Sequence, residues 1–162
     1  MPLVEDCAVL LHMDEDQWTG APDEVTNSCT GHHGTVAPGS ATTVAGGVRG
    51  RAGGFSGAGC VQIADAPELR PTTGVTFSAW FEPQLTDGTP QGLVSKRADV
   101  NVDQSFSLIL FTGAFVWVDI DGNDNRFSAG SAVMAGFGAM SPSSTMVGYR
   151  SIAARLCTST AC

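Results

Sequence analysis

Basic side chains are scarce in this sequence: eight Lys and Arg stand against sixteen Asp and Glu, for a formal charge of −8. None of the eight precedes Arg49. A nucleic-acid surface needs a basic stripe to neutralise phosphates, so no nucleic-acid partner is expected. Long apolar runs are missing as well. No stretch approaches the roughly 20 residues that cross a bilayer as a helix, so no membrane insertion is expected. Met1-Pro2-Leu3-Val4-Glu5-Asp6 carries acids where a secretory leader has its basic region, so either the protein is cytosolic or the natural start lies upstream, and the second is expected. Charged residues make up only 15% of the chain, and 20 Gly and 8 Pro punctuate it, a composition that suits short strands better than long helices. A length of 162 residues is enough for one domain with a single core.

Acids are themselves missing from one end. Residues 1–48 hold seven acids and no Lys or Arg, whereas no Asp or Glu occurs from Asn125 to Cys162. That contrast marks the tail as different in origin from the body.

Strand signals fill the body. Residues 7–13 (CAVLLHM) form an apolar run closed by Asp14-Glu15-Asp16, which predicts a buried first strand. Residues 19–54 are rich in Gly, Thr, Ser and Pro with weak alternation, which predicts long loops and at most one short strand. Val61-Gln62-Ile63 alternates, as does 75–81, where Val75, Phe77, Ala79 and Phe81 share one face and Trp80 points the other way. Gly92–Lys96 is a further short strand. Residues 105–111 place Phe106, Leu108 and Leu110 on one face, and Thr112-Gly113 turns the chain into a partner strand, 114–120. Asp121-Gly122-Asn123-Asp124 tolerates positive φ and forms a second hairpin turn, with Arg126-Phe127 starting the return strand. Successive strands joined by tight turns, without helical periodicity, predict an all-β antiparallel sandwich.

The five cysteines, Cys7, Cys29, Cys60, Cys157 and Cys162, match no metal-ligand spacing. In an oxidising compartment Cys7, Cys29 and Cys60 can supply one bridge, with the pair left open; small buried thiols are the alternative. Adjacent His32-His33 lack a third ligand at useful spacing and read as loop residues. Asp119, Asp121 and Asp124 lack the Glu that would close a calcium loop, and read as one outward strand residue and two turn formers. The chain contains no Gly-x-Ser-x-Gly elbow, phosphate loop or paired Cys and His with triad logic, so it is not expected to be an enzyme.

Five segments, in order, resemble bacterial laminin-G-like domains of the concanavalin A-like lectin/glucanase superfamily. They are Leu10-Leu11-His12-Met13-Asp14-Glu15, the loop 27–35 (NSCTGHHGT), residues 50–57 (GRAGGFSG), Phe77-Ser78-Ala79-Trp80-Phe81 and Gly92-Leu93-Val94-Ser95-Lys96-Arg97. The match covers residues 7–130. It departs from the family pattern at Cys29, Gly54 and Ser56, and the family's next segment, a Trp-His-Val strand followed by Tyr-Asp-Gly and Tyr-Val-Asp-Gly, is missing. The resemblance implies a concanavalin A-like jelly roll, incomplete at its C-terminal end, over residues 1–136, with an irregular tail over 137–162. It implies a non-catalytic recognition module of a secreted or cell-surface protein, with a glycan or an extracellular protein as ligand.

Related jelly rolls bind Ca²⁺, a hard cation needing six to eight oxygens. Asp14, Asp16 and Asn27 are the candidate ligands, helped by Glu15 and by carbonyls near Thr30 or His32; a solvated acidic loop is the plainer account. Sugar stacking would use Trp18, Trp80 or Trp117, with Trp18 the most exposed and the two strand tryptophans more suited to core packing. Two further accounts are a structural or non-functional fragment of a larger surface protein, and a glycoside-active sandwich. The second needs paired carboxylates. Asp119 and Asp121 share a strand end, but none of the five Glu lies in the Glu-x-Asp-x-x-Glu pattern of glucanases with this fold.

Residues 137–162 show no strand alternation. A real irregular tail is one account of this, and a shifted reading frame is the expected one. Each shifted codon takes the third base of one residue and the first two of the next, which leaves one base free. With permitted third bases, mostly G or C, the tail then reads W-R-H-V-A-V-V-Y-D-G-R-V-S-I-D-S-R-A-S-V-Y-V-D-G-V. Met140 and Met146 fix the free base in two of these codons, a Val and the Gly of the first Asp-Gly turn. This segment has the missing pattern, two strands with Asp-Gly turns, so a one-nucleotide frame change is expected close to Gly136.

Overall fold

In the computed structural model, residues 6–37, 41–56, 59–71, 74–83, 89–96, 106–111, 115–120, 126–128 and 154–155 are described. The described residues are all-β with antiparallel pairing throughout, and a single 3-10 turn at Pro67–Leu69. No helix among them is long and apolar enough to cross a membrane. The chain divides into two compact units, Met1–Leu69 and Arg70–Cys162.

The first unit holds β1 (Gly34–Val36), β2 (Ala41–Gly47), β3 (Gly50–Phe55) and β4 (Val61–Ile63). β1 pairs with β4, and β2 with β3 across a two-residue turn at Val48-Arg49. Two glycines make that hairpin possible. Gly46, at φ +89°, sits where the β2–β3 register shifts, and Gly50, at φ +78°, receives the chain after the turn; a Cβ would be strained at both. A small core gathers Trp18, Val25 and Val36, with Leu11, Met13, Ala41 and Val61 packed on it.

Two expectations for this unit are corrected. Residues 7–13 are not a buried strand: only Leu11 makes a bridge, to Asn27, while Val9 and Leu10 are exposed and Met13 has φ +57°. A run of apolar residues does not identify a strand unless a partner edge runs beside it. Residues 19–54, expected to be loops, contain β1, β2 and most of β3. The glycines taken as loop signals are the bulge and turn residues of a hairpin.

The second unit holds β5 (Thr76–Phe77), β6 (Gln91–Lys96), β7 (Phe106–Phe111), β8 (Phe115–Ile120), β9 (Arg126–Ser128) and β10 (Ala154–Arg155). β6, β7, β8 and β9 form one sheet in chain order, and β10 pairs with β5. The register sets Phe106 opposite Ile120, Leu108 opposite Val118 and Leu110 opposite Val116. These six residues therefore share one face, and Phe77 joins them in the core with Val75, Phe81 and Leu93 packed alongside. Leu108 and Leu110 are each 1% exposed. The pairing expected between these two runs is borne out for 106–111 with 115–120, and Leu108, Leu110, Val116, Val118 and Ile120 are buried on the shared face. The expected strand 75–81 shrinks to Thr76–Phe77, although its inward residues Val75, Phe77 and Phe81 all reach the core. The turns at 112–113 and 121–124, and all of 137–162 except β10, lie outside the described residues.

Candidate functional site

The N-terminal loop is built around Asn27, which is 3% exposed. Its Oδ1 accepts from the backbone N–H groups of Leu10 and Cys29, both at 3.0 Å. Its Nδ2 donates to Ala8 O (3.1 Å), Thr30 Oγ1 (2.8 Å) and His32 O (3.1 Å). The backbone N–H of Asn27 donates to His33 Nδ1 at 3.0 Å, and Ser28 N–H donates to Leu10 O at 2.9 Å. A disulfide between Cys7 and Cys29 closes the same loop, while Cys60 is a free thiol. That settles the open pairing among the three cysteines.

Asn27, a candidate calcium ligand, has its side chain engaged within the loop. Its one side-chain oxygen already accepts two N–H groups, and a cation there would face donors rather than lone pairs. The carbonyl of His32 is also engaged, by Asn27 Nδ2. Glu15 is committed to the backbone and to a ring: its Oε1 accepts from Thr26 N–H at 2.8 Å and its Oε2 from Trp18 Nε1 at 3.0 Å. Asp14 and Asp16 are exposed, and no group of three or more His, Cys, Asp or Glu among the described residues is placed to hold a metal ion.

Glu24 orders the loop before it. Burial raises its carboxyl, but hydrogen bonds from Thr19 N–H (2.6 Å), Gly20 N–H (2.7 Å), Thr19 Oγ1 (3.2 Å) and the Ala21 backbone outweigh that, and the net shift is below the ordinary 4.5. A lowered carboxylate contributes order above its unfolded value and loses it as pH falls through the folded one. In an NMR titration the Glu24 carboxyl should therefore titrate below 4.5, and the Thr19 and Gly20 amide shifts should follow it. Amide shifts that stay flat through that range would rule the arrangement out. On the other side of the loop, His32 Nε2 meets Glu68 Oε1 at 3.3 Å in an exposed pair, a contact of small energetic weight.

Two of the three tryptophans are placed contrary to expectation. Trp18, the expected exposed ring, is 6% exposed, bonded to Glu15 and tilted against Phe55 at a centroid distance of 6.0 Å. Gly53 makes room for it: a Cβ there would stand 2.8 Å from Trp18 Cη2. Trp80, expected to suit the core, is 55% exposed, because its neighbours Phe77 and Phe81 turn inward and leave it on the opposite side. Trp117, in β8, is half-buried opposite Ile109 of β7. Comparison with protein-family profiles, curated proteins and solved structures finds no match for this chain. The site must be read from its own chemistry.

Asp119 is a further correction. It is 3% exposed rather than outward-facing, at a register position between Ser107 of β7 and Arg126 of β9. Sequence reasoning missed it because the alternation of β8 breaks at this point: Val118, Asp119 and Ile120 are all buried, so both faces of the sheet are covered there. An acid near the end of an otherwise apolar strand, two residues before Asp121-Gly122, was the available signal.

Proposed function

We propose that this chain is a non-catalytic recognition module of the laminin-G-like jelly-roll kind, which binds a carbohydrate through an exposed aromatic ring outside the cell. The observation that carries this reading is Trp80. It is the most exposed large hydrophobic residue among the described residues, while Phe77 and Phe81 in the same segment pack inward. An exposed indole face suits the apolar face of a pyranose, and a contribution of about 0.5–1.5 kcal/mol beyond burial is taken by analogy with aromatic pairs. The Cys7–Cys29 disulfide supports an oxidising, extracellular setting. The absence of catalytic motifs from the sequence supports binding over hydrolysis.

Calcium is left out of this reading. With Asn27 and Glu15 already bonded, Asp14 and Asp16 offer too few oxygens for a site of six to eight.

A polysaccharide array probed with and without Ca²⁺ tests the proposal. Trp80→Ala should weaken binding of a positive glycan about three- to tenfold, the range set by stacking energies, while leaving stability within about 0.5 kcal/mol. Equal binding by wild type and Trp80→Ala would remove Trp80 from the site, and a blank array would remove the glycan reading. Addition of Ca²⁺ or EDTA should leave both affinity and unfolding midpoint unchanged.

A further inference from the structure

Asn27 is buried, and its backbone N–H donates to a group whose protonation can change, His33 Nδ1, at 3.0 Å. A ring nitrogen that accepts carries no proton, so this bond exists only for the neutral imidazole with its hydrogen on Nε2. Protonation of Nδ1 would set one N–H against another. The Asn27 N–H would then lose its acceptor, and a buried donor without one draws the backbone open to water. The neighbouring ring has the reverse requirement. His32 Nε2 stands 3.3 Å from Glu68 Oε1, a contact that strengthens when the imidazole gains its charge.

The segments around this loop bring few other titrating groups to it. Glu15 is held by Thr26 N–H and the Trp18 indole, and Glu24 by Thr19 and Gly20. His12, Asp14 and Asp16 of the N-terminal segment are exposed. Among the described residues none of these groups, nor Glu68, forms an ion pair with His33. The Cys7–Cys29 bridge has no proton to exchange.

We propose that His32-His33 is an acid-sensitive latch on the disulfide-closed loop. Above the imidazole range neutral His33 holds the Asn27 backbone. Below it His33 releases that hold, while protonated His32 tightens on Glu68. The loop's anchorage thus passes from Asn27 to the 3-10 turn at Pro67–Leu69 as pH falls. The Asn27 side chain, bonded to Ala8, Leu10, Cys29, Thr30 and His32, loosens with its backbone. The Cys7–Cys29 bridge keeps the two arms of the loop joined, so the change is local and reversible. The latch lies in the first unit and does not depend on glycan binding at Trp80, so loss of one reading leaves the other standing.

NMR and amide hydrogen exchange on the full chain, in EDTA, between about pH 8 and pH 5 test the latch. At the upper end the His33 ring should show Nδ1 without a proton and Nε2 with one. As the ring titrates, the Asn27 amide shift should follow it. Protection of that amide, corrected for intrinsic exchange, should fall about tenfold, the worth of one hydrogen bond. His33→Asn keeps an acceptor near the position of Nδ1 but cannot titrate, so its Asn27 amide should keep the same protection across the range. His32→Gln should leave the Asn27 response in place. A proton on Nδ1 at the upper end, or an Asn27 amide that stays flat while the His33 ring titrates, would overturn the latch. So would a response that persists in His33→Asn or vanishes in His32→Gln. The first two outcomes are read on the unaltered chain, so a variant that fails to fold leaves the test standing.

Discussion

Reduction of the Cys7–Cys29 bridge is expected to cost the Met1–Leu69 unit about 3 kcal/mol. The bridge closes a loop with a sequence separation of 22, and loop-closure entropy for that length gives about that figure. The cost falls on a unit with little to spare, whose buried core comprises Trp18, Val25 and Val36. Small cores of this kind lean on covalent staples. The check is urea unfolding of wild type with and without reductant, and of a Cys7→Ser, Cys29→Ser double variant, followed through the Trp18 indole N–H resonance. That probe reports the first unit alone, because Trp80 and Trp117 belong to the second. A loss below about 1 kcal/mol would mean that the hydrogen bonds of Asn27 hold the loop without the bridge.

Replacement of Asn27 by Asp should be still more damaging, at about 3–4 kcal/mol at neutral pH. The two oxygens of Asp reproduce the acceptor toward the Leu10 and Cys29 N–H groups, but the second faces Ala8 O and His32 O, which Nδ2 now satisfies as a donor. A buried carboxylate against two carbonyls is held in its neutral form, so its titration moves upward. The variant should be most stable at acid pH and lose stability as pH rises through that raised value, a dependence opposite in sign to that of Glu24. Urea midpoints of wild type and Asn27→Asp between pH 4 and pH 8 measure it. A variant as stable as wild type across the range would show that Asn27 acts only through its acceptor. Combined with loss of the disulfide, the two costs should add to less than their sum, because both tie residues 7–11 to residues 27–32.

Much of the second unit was legible in the sequence. Phe106, Leu108 and Leu110 recur at period two, and so do Val116, Val118 and Ile120. In a hairpin the partner lies a few residues away, so local pattern and final pairing are the same fact. The first unit was far less legible. Val25 pairs with Gly34 and Leu11 with Asn27 through isolated bridges that carry no periodicity at all. Gly46, Gly47 and Gly50 look like loop residues until the hairpin they bend is known.

The candidate site was legible only as a list of residue types. Trp18 stands between Gln17 and Thr19 and Trp80 between Ala79 and Phe81, neighbours that point to the opposite placement, yet the structure buries the first and presents the second. Their difference arises from remote residues: Gly53 and Phe55 close over Trp18, whereas Phe77 and Phe81 turn Trp80 outward. By itself the sequence determined the all-β antiparallel character, the meander from β6 to β9 and the core face of β7 and β8, because each depends on contacts between residues close along the chain. Only the tertiary structure decided which two cysteines join, that the Asn27 side chain ties residues 8–10 to residues 29–32, that Asp119 is buried, and which indole meets solvent. Each of these depends on what lies across a loop or a sheet face from a distant part of the chain, and no local pattern records that.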